Sequence, residues 1–410
     1  MKSTIKRRAL GAFFVATAFA LATSLNQGAA HAAPTDGVVV TSPSAPVDSY
    51  WRGITYGNGL FVAVANGGTG ARIMTSPDGT NWTSRTAPEA NAWTSVAYGN
   101  GLFVAVADSG TNRVMTSTDG ITWTARAAAE VSDWRSIAYG NGKFVALSYT
   151  GNRAMTSTDG ITWTAGGLAA SNDWFGLTYG NGLFVTVSQT GTNRVMTSPD
   201  GVTWTARSAA AASSWSNVTY GNNLFVAVAS SGTDRVMTST DGITWTARTA
   251  AAANSWIAVA AGGGYFVAIS NGGTDRLMIS TDGTTWASLS GAAANNWEAI
   301  AYGDGKFAGV ANVGTGTALI VLATLPTTTT TTSTTTTTLA PTTTAATTTT
   351  VAATTTTAAT TTTVKATKTT RTTVAASELP TTGSSSGTTL AYAGGLLAIG
   401  LVLVARRRTA

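Results

Sequence analysis

The sequence predicts an all-β, seven-bladed β-propeller closed by an N-terminal strand, followed by a disordered Thr-rich stalk and a short apolar tail. Three observations carry this prediction. Tryptophan recurs with a period of about 41 residues, tight-turn dipeptides fall at fixed places within each period, and the two ends hold complementary fractions of one unit.

Tryptophans stand at 51, 93, 134, 174, 215, 256 and 297, and a second series stands at 82, 123, 163, 204, 245 and 286. Each second-series Trp precedes the next first-series Trp by 11 residues, so length variation is confined to the rest of the unit. A period near 41 matches the ~40–45 residues of a four-stranded propeller blade. Within one unit, Trp93–Tyr98 reads as a strand, Gly99-Asn100-Gly101 as a hairpin turn and Leu102–Ala107 as an apolar strand. After the loop 108–112, Arg113–Ser117 reads as a third strand, Asp119-Gly120 as a turn and Ile121–Arg126 as a fourth strand. Asn-Gly and Asp-Gly between strand-like runs are strong hairpin signals. The run Leu102-Phe103-Val104-Ala105-Val106-Ala107 does not alternate with polar residues, which suits a strand covered on both faces.

The ends decide between an open stack and a closed ring. The unit that begins at Trp297 runs through Ala318–Leu322 and lacks a fourth strand. Thr35–Thr41 matches a turn and fourth strand, with Val40 at the Trp position, 11 residues before Trp51. The first segment can therefore complete the last unit and remove its exposed edge. This gives a propeller over 33–325 and, over 326–377, a stalk with 31 Thr in 52 positions. Such a stalk has too little apolar surface to form a core.

Residues 1–32 read as a signal peptide: Lys2, Lys6, Arg7 and Arg8, then the apolar run Ala9–Leu25, then small residues around Ala30-His31-Ala32. Arg7-Arg8 leaves general and twin-arginine export both open. At the other end, over 378–410, Leu379-Pro380-Thr381-Thr382-Gly383 precedes the apolar run Leu390–Ala405 and Arg406-Arg407-Arg408. Sixteen largely apolar residues are short for a stable span, and the arginine cluster would hold them as a temporary stop. This order resembles the LPXTG sorting signal of Gram-positive cell-wall-anchored proteins. The resemblance implies that sortase cuts between Thr382 and Gly383 and joins Thr382 covalently to peptidoglycan. It also implies only transient membrane association, and a final place on the bacterial surface.

A second resemblance lies in the repeats. Ser117-Thr118-Asp119-Gly120-Ile121-Thr122-Trp123 is similar to the Asp-box of sialidase-type (BNR-like) propellers, with Gly directly after Asp and one residue fewer. It recurs at 76–82, 157–163, 198–204, 239–245 and 280–286, placing Asp78, Asp119, Asp159, Asp200, Asp241 and Asp282 in one role. That family uses the box as a structural turn away from its active site. The residue chemistry agrees, since Asp accepts from turn amides, Gly permits positive φ and Trp packs against the sheet.

Composition narrows the function. The chain has no Cys and one His, His31, inside the leader, so thiol nucleophiles, Ser-His-Asp triads and Cys/His zinc sites are excluded from the mature protein. The net charge of +6 comes from the two ends, whereas 33–325 holds 14 Lys+Arg against 17 Asp+Glu, so nucleic-acid binding is not expected. Arg72, Arg113, Arg153, Arg194, Arg235 and Arg276 share one position per unit, on the face where first strands begin. They are candidates for binding an anionic or hydroxyl-rich polymer through bidentate hydrogen bonds, or else they stitch blades together. No catalytic set, metal site or cofactor is expected. The sequence thus points to a monomeric, noncatalytic propeller displayed for binding or adhesion to glycans or cell surfaces. A sialidase-like hydrolase and a passive coat or spacer are the alternatives.

Overall fold

The computed structural model describes residues 35, 38–68, 71–312 and the strand Leu319–Ala323, the last through its backbone. The expected leader, stalk and sorting signal lie outside the described residues. Among the described residues, no helix is long and apolar enough to cross a membrane.

The described chain is all β. Six four-stranded sheets are each made of four consecutive strands, and a further four-stranded sheet draws on both ends of the propeller. In the blade that begins at Trp93, the strands are Trp93–Gly99, Leu102–Ala107, Val114–Ser117 and Thr124–Arg126, all antiparallel. The first turn places Asn100 at φ 49° and Gly101 at φ 74°, the left-handed pair that a two-residue hairpin needs. The composite sheet runs Trp297–Gly303, Lys306–Ala311, Leu319–Ala323 and then Val39–Thr41, with Val40 opposite Leu322. The expectation of seven blades thus resolves into six units continuous in the chain and one sheet assembled from both ends.

Two repeated packing devices hold blade to blade. All seven first-series tryptophans are fully buried and belong to clusters that mix residues of adjacent blades; Val62 and Val64 pack with Trp93 and Phe103, for example. At the other end of each first strand, a glycine lies against the following blade, on a tyrosine in six cases and on Ala261 in the case of Gly221. A Cβ on Gly140 would stand 2.0 Å from Tyr179 Cγ, and one on Gly99 2.0 Å from Tyr139 Cγ. The series closes on itself, because Gly303 of the last blade receives Tyr56 of the first. Each of these six tyrosines also stacks obliquely on the Phe of its own second strand, as Tyr98 on Phe103 at 4.6 Å.

Gly140→Ala is expected to cost about 1–3 kcal/mol in chemical denaturation, since the methyl must displace a packed ring. Gly166→Ala, whose Cβ would meet nothing nearer than Ala154 O at 3.7 Å, is expected to stay within about 0.5 kcal/mol of wild type.

Candidate functional site at the channel mouth

Each first strand carries the same irregularity. The register against the second strand shifts directly after the Trp, between Trp51 and Gly53, Trp93 and Ser95, Trp134 and Ser136, and at the equivalent place in every other blade. The residue after each Trp is therefore an unpaired bulge residue, and bulges re-aim side chains. These seven residues are Arg52, Thr94, Arg135, Phe175, Ser216, Ile257 and Glu298, and all of them line one central cavity of about 370 Å³. The next position holds only Gly, Ser, Asn or Ala. There the strands approach so closely that a Cβ on Gly53 would lie 2.9 Å from Ser95 Cα.

In a chain whose blades repeat almost verbatim, this position diverges in chemistry, as the position just before each Trp also does, and of the two it is the one that lines the cavity. Arg113–Arg126 and Arg235–Arg248 match at all fourteen positions, and Tyr56–Ala65 matches Tyr98–Ala107 at all ten. The bulge position holds two guanidiniums, a carboxylate, an aromatic ring, two hydroxyls and an aliphatic chain. Unlike groups converging on one point are what a ligand site requires.

The charged arc is ordered. Arg52 Nη1 pairs with Glu298 Oε2 at 2.6 Å, joining the first and last blades, and Asn312 Nδ2 donates to Glu298 Oε1 at 2.6 Å. Burial pushes the Glu298 carboxyl up from its ordinary range, against the opposing pull of Arg52, Arg135 and Asn312. Arg135 lies with its guanidinium carbon 4.5 Å above the Phe175 ring, and Tyr149 meets that ring edge-on at 5.1 Å. Desolvation in the narrow channel and the nearby Arg52 charge lower the Arg135 guanidinium to about 10, so it stays protonated at neutral pH. Arg135 makes no hydrogen bond or ion pair among the described residues, and Arg52 Nε and Ser136 Oγ are buried without partners.

The six repeated arginines are placed elsewhere. Arg113 Nη1 donates to Asp108 O at 2.8 Å and to Ser132 O at 2.6 Å, the latter in the connection to the next blade. Arg72, Arg194, Arg235 and Arg276 reach Asn91 O, Ser213 O, Asn254 O and Asn295 O in the same way. Arg153 instead pairs with Glu130. Of the two uses these side chains could serve, their geometry satisfies the stitching of one blade to the next. The six aspartates sit in turns. Asp119 Oδ1 accepts from the amides of Ile121 and Thr122 at 2.8 Å each, and Trp123 Nε1 donates to Gly120 O at 2.9 Å. Asp78, Asp159, Asp200, Asp241 and Asp282 repeat the pattern. The amides of Thr122 and Ile121 hold the Asp119 carboxyl down at about 2, and those of Thr162 and Ile161 do the same at Asp159. Among the described residues no group of three or more His, Cys, Asp or Glu could hold a metal ion.

Residues 41–175 match the family described as DUF6242 beta propeller domain. That is about a third of the chain. In fold, the chain is similar to virginiamycin B lyase from Staphylococcus aureus, with TM-score 0.61 and 14% identity over 70% of this chain and 98% of that one. It is also similar to YCF48 from Cyanidioschyzon merolae, with TM-score 0.54 and 12% identity over 69% and 98%. No curated protein sequence matches the chain. A propeller of this architecture hosts an enzyme, so the inference from fold and repetition to a noncatalytic protein does not hold. At 14% identity the likeness is one of fold. The reason the inference failed is visible in the bulge ring: duplication preserved the frame while unlike groups were collected at its centre.

Two outcomes are expected. The folded-state carboxyls of Asp119 and Asp159 lie below the ordinary value of about 3.9, so their stabilisation is present above that pH and lost as pH falls toward 2. The thermal midpoint of wild type should therefore drop across this window more steeply than that of an Asp119→Asn, Asp159→Asn double variant. Arg52→Met strands the Glu298 carboxylate and is expected to cost roughly 3–5 kcal/mol at neutral pH in denaturant titrations, with Glu298→Gln costing less.

Proposed function

We propose that this protein is an exported, wall-anchored propeller that binds an extracellular ligand at the mouth of its central channel. Export rests on the leader 1–32, and anchoring on Leu379-Pro380-Thr381-Thr382-Gly383 with its apolar run and arginine tail. In this reading sortase joins Thr382 to peptidoglycan, and the Thr-rich segment 326–377 spaces the propeller from the wall.

The observation that carries the binding reading is the ring of seven dissimilar bulge residues around one cavity. A volume near 370 Å³ suits a small molecule, a single sugar-sized unit or the end of a polymer. Glycans of a host or of another cell's wall fit the mixed hydroxyl, aromatic and charged lining. The lyase and YCF48 likenesses support the architecture only.

The test is binding of the full chain to an array of host glycans and bacterial wall polymers. Ile257→Ser and Arg135→Gln, both in the ring, are expected to weaken the bound ligand by about tenfold or more. Lys143→Gln, on the opposite end of the ring, should leave binding unchanged. Equal binding by all variants would contradict the channel mouth as the site. For anchoring, Thr382→Ala is expected to release the protein from the wall fraction into the medium, with intact wall linkage as the contrary result.

A further inference from the structure

Resting on the channel mouth as the ligand site, we infer that Arg135 anchors an organic ligand through a single carboxylate. The uncharged body of the ligand lies along Ser216 and Ile257.

The inference starts from charge. Arg52, Arg135 and Glu298 are the charged residues lining the cavity, so it carries one positive charge in excess. Glu298 is fully engaged, one oxygen on Arg52 and the other on Asn312, which leaves the excess on Arg135. Thr94, the bulge residue between the two arginines, is not free to respond, because its hydroxyl donates to Trp134 O at 2.7 Å. One uncompensated charge in a desolvated channel matches a monoanion. A dianion would leave a negative charge buried and unpaired.

Geometry narrows the anion further. With its guanidinium carbon 4.5 Å over the Phe175 ring, and Phe175 braced by Tyr149, Arg135 is held in place and presents its planar fork of N–H donors. A planar carboxylate meets such a fork with two parallel hydrogen bonds. Ser136 Oγ, buried without a partner in the same cavity, supplies another donor. Asp108 and Tyr149 are the remaining titratable groups whose charge reaches Arg135, and neither forms an ion pair with it. Across the channel the bulge residues are Ser216 and Ile257, uncharged and partly apolar, which suits a compact ligand body rather than a second charge. Phe175 is a positioning residue in this account, acting through Arg135.

The test is calorimetric titration of the purified full chain at neutral pH with benzoate, acetate, benzamide and inorganic phosphate. Benzoate is expected to bind at one saturable site, with benzamide at least about tenfold weaker because it lacks the charge. Arg135→Gln should weaken benzoate by about tenfold or more with the thermal midpoint and near-ultraviolet circular dichroism unchanged, and Arg135→Lys should recover part of that loss. Phe175→Leu, which keeps the charge but removes the platform, should weaken benzoate less than Arg135→Gln does. Benzamide binding as well as benzoate would overturn the inference. So would phosphate binding more tightly than benzoate, benzoate binding retained in Arg135→Gln, or no benzoate binding at all. If benzoate fails while the array ligand is still lost in Ile257→Ser and Arg135→Gln, the carboxylate chemistry is wrong and the site stands. If the array ligand survives those substitutions, the site itself is wrong.

Discussion

The close approach of the first strands around the channel is the constraint on which the rest of this protein depends. Only small residues fit where Gly53 lies against Ser95 and Gly176 against Asn217, with would-be Cβ atoms within 3 Å of neighbouring backbone. Each strand meets that limit with a buried Trp on one side and, on the other, a Gly that accepts the next blade's Tyr, or Ala261 in the case of Gly221. The bulge between Trp and the small residue is where each first strand turns a side chain of any size toward the channel. These seven positions carry unlike groups, and the architecture brings all seven to one cavity.

This arrangement separates two kinds of arginine that look alike in a chain. Arg72, Arg113, Arg194, Arg235 and Arg276 each close a hydrogen-bonded link from a loop to the next blade, and in most cases the carbonyl they reach also receives the Trp amide, as Ser132 O does from Trp134, whereas Arg153 pairs with Glu130. Arg52 and Arg135 do not recur in every blade, and they are the ones that face the channel. Closure of the ring relies on the same economy of parts: Val39–Thr41 completes the last sheet, Tyr56 seats on Gly303, and Arg52 pairs with Glu298.

Much of the frame was legible in the sequence because it repeats. The Trp period set the blades, Asn-Gly and Asp-Gly marked their turns, and the 11-residue offset of Val40 from Trp51 located the closing strand, which pairs at 39–41 as expected. The roles of the six turn aspartates were readable from donor and acceptor chemistry alone. The site was not, for a physical reason. A bulge leaves no mark on a constant spacing, so Arg52, Arg135 and Glu298 looked like scattered strand ends rather than neighbours in one ring. The usable signal was the inverse of repetition: among aligned repeats, the position after each Trp is one of those whose chemistry is never settled. Attention to recurring groups led instead to Arg72, Arg113, Arg153, Arg194, Arg235 and Arg276, whose donors the fold itself consumes, and to a noncatalytic expectation that the fold does not support.

The central claim is that ligand recognition resides in the diversified bulge ring and not on the outer faces of the disc. The most direct measurement is nuclear magnetic resonance of the isotope-labelled full chain, following the Arg Nε–H signals during titration with the ligand found on the array. The account predicts that the Arg135 and Arg52 signals shift and saturate together, while those of Arg113, Arg194 and Arg235 stay in place. Shifts confined to the outer arginines, with Arg135 unmoved at saturation, would contradict it.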